Sequence, residues 1–100
     1  MDKITIKIFL YSVNFEELGD TIGKIIQSFQ NEKFAIKFEN NYIYFDFFAN
    51  NLQEIKKVYD RIIAIFETYY NYAIDVKITK ECIETIKFAK NLKDSENCNN

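Results

Sequence analysis

Apolar residues along this chain change their spacing repeatedly, and the order of those changes narrows the fold more than any single motif. Ile4, Ile6, Ile8 and Leu10 fall at every second position, alternating with Lys3, Thr5, Lys7, Phe9 and Tyr11, the period of a strand with one face in a core. The period then lengthens. Asn14 is placed as a helix N-cap with Glu17 three residues on, and Phe15, Leu18, Ile22, Ile25, Ile26 and Phe29 share one helical face. Gly19 and Gly23 flank that face, and their cost in helix propensity predicts a close backbone approach there. Alternation returns at Phe34, Ile36 and Phe38. Asn40-Asn41 forms a turn pair able to take positive φ, and a partner strand follows with Ile43, Phe45 and Phe47 on one face. Asn51 and Glu54 open a second helix, whose stripe runs Leu52, Ile55, Val58, Tyr59, Ile62, Ile63, Phe66 and Tyr69. Ile74, Val76 and Ile78 make a fourth strand.

Strand, helix, strand, strand, helix, strand has one dominant solution, an α+β sandwich with an antiparallel sheet in the order 4-1-3-2 and both helices on one face. This βαββαβ order resembles the ferredoxin-like superfold. Beyond it, Cys82, Ile83, Ile86, Phe88, Ala89 and Leu92 predict a third helix over 80–92, too apolar to stand free in water. The expected domain is residues 1–92, with 93–100 a disordered polar tail.

Strand parity has a consequence for the other side of the sheet. With the Ile and Phe series facing the core, Phe9, Tyr11, Tyr42, Tyr44 and Phe48 must point the opposite way. The first and third strands are central neighbours in this topology, so those rings cluster. Rings of this size bury about 150–250 Å² each, and an uncovered cluster marks an interaction surface. The cover is expected to be the third helix, a second copy of the chain as a homodimer, or another partner. Lys3, Lys7, Lys33, Lys37 and Lys77 outnumber Glu39, Asp46 and Asp75 on the same face. A second candidate surface is the acidic first turn of the first helix, Glu16, Glu17 and Asp20, whose placement also suits the helix dipole.

Two strand segments carry a resemblance. Ile8-Phe9-Leu10-Tyr11-Ser12-Val13 and Asn40-Asn41-Tyr42-Ile43-Tyr44-Phe45-Asp46-Phe47 resemble the first- and third-strand motifs of the RNA-recognition motif. The resemblance implies bases stacked on Phe9, Tyr42 and Tyr44. Asn40 and Asn41 stand where that family carries a basic residue and a glycine, and Asp46 opposes phosphate.

Composition removes most chemistry. The chain has no histidine, so histidine acid–base catalysis and histidine metal sites are excluded. Cys82 and Cys98 are too far apart for a zinc or cluster site, and two glycines make no phosphate loop. The loop after the first strand, Ser12-Val13-Asn14, lacks the arginine of acylphosphatases and the Cys pair of heavy-metal domains. It also lacks the glycine-containing turn of ACT domains, and Tyr11 stands where the CRISPR adaptation nucleases place an aspartate. No catalytic residue, cofactor or metal is therefore expected. A net charge of −2 and a single arginine, Arg61, argue against general nucleic-acid affinity. No apolar run reaches the ~18 residues of a membrane span, and the start of the chain leaves no room for a signal peptide, so the expected compartment is the cytoplasm. Phe, Tyr, Ile, Asn and Lys exceed half the chain, the mark of an AT-rich bacterial or viral genome.

By elimination the reading is a non-enzymatic protein-interaction domain. In size and style alone it resembles the small phage inhibitors of bacterial defence, anti-CRISPR proteins among them. The alternatives are a module for single-stranded RNA and a housekeeping dimerisation domain.

Overall fold

The structure is a computed structural model that describes residues 1–69, 72–78 and 85–90. In chain order they form β1 (Asp2–Leu10), α1 (Phe15–Ser28), β2 (Phe34–Glu39), β3 (Tyr42–Ala49), α2 (Leu52–Ile65), a 3-10 turn (Phe66–Thr68), β4 (Tyr72–Ile78) and β5 (Thr85–Lys90). The strands make one antiparallel sheet in the order β2-β3-β1-β4-β5. Its first four strands have a βαββαβ-like layout compatible with the ferredoxin-like fold. The sheet is longer than the expected 4-1-3-2 arrangement, which reads from the opposite edge and is extended by β5.

That extension corrects the sequence expectation for the end of the chain. Residues 85–90 are not helical; they pair with β4 from Lys77↔Thr85 to Tyr72↔Lys90. Thr85-Ile86-Lys87-Phe88-Ala89-Lys90 alternates with period two, and so short an apolar run fits either period. The outer edge of β4 decides the outcome, because its row of N–H and C=O groups needs a partner. Residues 80–84 and 91–92 of the expected helix, and the expected tail 93–100, lie outside the described residues.

Capping is local and matches the residues that predict it. Asn14 accepts from the Glu17 N–H at 3.0 Å, and Asn51 from the Glu54 N–H at 2.9 Å. Glu54 returns a bond at 2.7 Å to the Asn50 N–H, one residue ahead of the N-cap. Asn40 and Asn41 have φ 54° and 68°, the two positive values that a two-residue type I′ hairpin requires.

The core lies between the helices and one face of the sheet. Ile4, Ile6, Ile8 and Leu10 of β1 and Ile43, Phe45 and Phe47 of β3 are buried there with Ile74 and Val76 of β4. Leu18 and Ile25 of α1, Phe29 at its C-cap, and Ile55 and Ile62 of α2 close it from above. Phe34, Ile36 and Phe38 are only half-buried, because among the described residues β2 has a strand on one side alone. The α1 stripe is narrower than its sequence predicts: Phe15, the first residue of the helix, is 76% exposed, and Ile26, beside the fully buried Ile25, is exposed on the flank of the stripe. Gly19 and Gly23 are exposed, and a Cβ at either would meet nothing within 4 Å, so neither marks close packing.

Two side chains tie the layers together. The Arg61 guanidinium bonds Glu32 at 2.9 Å and the Ser28 carbonyl at 2.6 Å, and lies 3.8 Å from the centre of the Phe29 ring. It thereby caps the C-terminal carbonyls of α1 from α2. The buried Tyr69 hydroxyl donates to the Ser12 carbonyl at 3.1 Å and accepts from the Asn14 N–H at 3.5 Å, fixing the turn that leads into α1.

Candidate functional site: the open face of the sheet

Register sets the rows of the face turned away from the helices. Across β2, β3, β1 and β4, one row is Glu39, Tyr42, Phe9 and Ala73; the next is Lys37, Tyr44, Lys7 and Asp75; the third is Ala35, Asp46, Thr5 and Lys77. The rings are therefore neighbours because β1 and β3 are. Phe9 meets Tyr11 edge-on at 4.6 Å and Tyr42 at 5.0 Å, and Tyr42 lies 5.8 Å from Tyr44. Phe9, Tyr42 and Tyr44 are half-buried, while Tyr11 remains 43% exposed. Partial burial raises the Tyr11 phenol pKa, and the neighbouring Tyr42 raises it further.

Lysines border this aromatic strip at cation–π distance. Lys7 Nζ lies 5.2 Å from the Tyr42 ring centre and 5.9 Å from that of Tyr44, and Lys37 Nζ lies 5.1 Å from Tyr44. Below the strip the face is polar. Asp46 accepts from the Thr5 hydroxyl at 2.7 Å and lies 4.0 Å from Lys3. Asp75, opposite Lys7, has one buried carboxylate oxygen without a hydrogen-bond partner among the described residues.

The other residues singled out from sequence are not brought to the strip. Phe48 is 48% exposed but sits opposite Lys3, beyond Asp46, and lines a different cleft with Phe29, Phe34 and Phe47. That cleft, about 350 Å³, joins residues from a helix and two strands and has no signature in local spacing. Glu16, Glu17 and Asp20 belong to α1, on the helix side of the sheet, so the acidic turn and the aromatic strip are separate surfaces. Arg61, the single arginine, is held by Glu32, Ser28 and Phe29, away from the strip.

The described residues hold no cluster of three or more His, Cys, Asp or Glu side chains that could bind a metal ion, and no helix among them is long and apolar enough to cross a membrane. What the strip offers chemically is flat apolar area edged by ammonium groups. No family model, curated protein or solved structure matches the chain, so its likeness to the RNA-recognition motif rests on the two strand segments alone and its likeness to anti-CRISPR proteins on size and style.

Proposed function

We propose that the chain is a non-enzymatic binding domain of ferredoxin-like type whose aromatic strip receives a protein partner. One observation carries this: Tyr11, Phe9, Tyr42 and Tyr44 form a continuous row of rings on the two central strands, while residues 85–90 extend the sheet instead of covering it. Aromatic anchors with a mixed polar rim are the composition of a protein interface centre. Inhibition of a bacterial defence system is a narrower form of the same proposal and rests on size and style alone.

The lysines at Tyr42 and Tyr44 favour a second reading, a platform for single-stranded RNA. Against it stand Glu39, Asp46 and Asp75 among the same rows, the net charge of −2 and the internal use of Arg61. The test compares wild type with a Phe9→Ala/Tyr44→Ala double variant in capture from the native host, with and without nuclease. A protein held by wild type, lost by the variant and indifferent to nuclease supports the proposal. Capture that survives the substitutions contradicts it, and capture that needs intact RNA favours the platform.

A further inference from the structure

The outer edge of β2 has the symmetry of a self-complementary interface. The Leu10 N–H donates to the Asn41 carbonyl at 2.8 Å, so odd-numbered residues of β3 turn their backbone groups toward β1. Tyr42, Tyr44 and Asp46 must then bond Glu39, Lys37 and Ala35, which leaves the N–H and C=O groups of Phe34, Ile36 and Phe38 pointing outward. These are the residues whose side chains are half-buried against the core, so at the same three positions the backbone lacks a partner strand among the described residues and the side chains keep an uncovered outer side.

Neither proline nor a bulge blunts this edge, and its charged residues, Lys33, Lys37 and Glu39, carry both signs. The chain has no proline, and the β2–β3 register runs without a bulge from Phe34↔Phe47 to Glu39↔Tyr42. The large apolar positions, Phe34, Ile36 and Phe38, also read the same in both directions about Ile36. An antiparallel second copy centred there sets Ile36 against Ile36, Phe34 against Phe38, Ala35 against Lys37 and Lys33 against Glu39. Each outward N–H and C=O finds its complement, each bulky ring meets a ring, and opposite charges meet twice.

We infer that β2 pairs with β2 of a second copy across a two-fold axis at Ile36, making one continuous ten-stranded sheet. Residues opposite one another share a face, so the helices of both copies lie on one side and both aromatic strips on the other. The partner's Phe38 comes beside Phe34, at the mouth of the 350 Å³ cleft, where its exposed edge gains cover. This surface is distinct from the aromatic strip, so each proposal can fail without the other.

Charge exchange tests the register on exposed residues that the fold does not need. Sedimentation of the full chain is expected to give twice the 12.0 kDa chain mass. Glu39→Lys sets lysine against lysine twice and is expected to raise the dimer dissociation constant about tenfold or more, and Lys33→Glu does the same with carboxylates. Lys33→Glu/Glu39→Lys restores both pairs and is expected to return the constant to within about threefold of wild type. The internal Lys37–Glu39 pair, 3.4 Å in wild type, is lost in the double variant as in Glu39→Lys, so recovery reports the contact between copies. Wild type that stays monomeric at about 100 µM, a dimer unmoved by Glu39→Lys, or a double variant no better than the single ones overturns the inference.

Discussion

On the helix side of the sheet, Ile6, Ile8, Ile43 and Phe45 are sealed from solvent; one residue along the same strands, Lys7, Phe9, Tyr42 and Tyr44 are only half-buried. The two faces therefore divide the labour of the same backbone. Aliphatic residues with no polar atom fill the side that helices cover. The open side carries three tyrosines, whose hydroxyls suit a boundary with water, and lysines whose ammonium groups stay at the ring faces. Stability resides on the first face, and the proposed function puts recognition on the second, so substitutions one position apart should separate the two properties.

The sharpest separation is at Phe45 and its neighbour. Phe45→Ala removes a fully buried ring packed on Phe29, Phe34 and Phe47 and should cost about 3–5 kcal/mol in urea unfolding. Tyr44→Ala, adjacent in sequence but on the open face, should cost about 1 kcal/mol or less. Equal losses would erase the distinction between the faces.

Arg61→Ala should cost about 1–3 kcal/mol, since it uncaps Ser28 and frees Glu32 while leaving the open face untouched. The check is urea unfolding alongside partner capture, which should be unchanged. A smaller effect is expected at Tyr69. Tyr69→Phe keeps the ring and loses the bonds to Ser12 and Asn14, costing about 1 kcal/mol.

The same tyrosine sets a pH dependence. Burial raises the Tyr69 phenol above its ordinary 10.0, with the Asn14 N–H working against the shift and Glu17 adding to it. Burial raises Tyr59 and Tyr72 as well. A raised folded value means that the unfolded chain ionises first. Stability is therefore whole below about pH 10, falls as pH rises through that range, and levels off above the folded values. Tyr69→Phe should make the alkaline decline shallower in pH-dependent unfolding. The smallest change has the opposite sign: Gly19→Ala, facing open space on α1, should raise stability by about 0.5–1 kcal/mol in thermal unfolding.

Periodicity made most of this architecture readable. Ile4 to Leu10 and Ile43 to Phe47 alternate cleanly because each strand is buried on one face, and Asn40-Asn41 names its own turn. The aromatic strip followed from parity alone. Three features did not follow. Ile86 and Phe88 satisfy a strand as well as a helix, and the unpaired edge of β4 that selects the strand is a property of the folded sheet. Phe15 belongs to the α1 stripe in sequence, but the stripe is longer than the surface it covers. Arg61 meets Ser28, Glu32 and Phe29 only once α1 and α2 are packed, a contact between distant parts of the chain that no local pattern carries.

The central claim is that the aromatic face is open while the helix-covered face is sealed, and tyrosine labelling reads both at once. Tyrosine-selective modification of the native chain, mapped by peptide mass analysis, should modify Tyr11 first. Tyr42 and Tyr44 should follow, with Tyr69 and Tyr72 protected until denaturant is added. Protection of Tyr11, Tyr42 and Tyr44 to the same degree as Tyr69 would show that the face is covered in the free protein and would contradict the account.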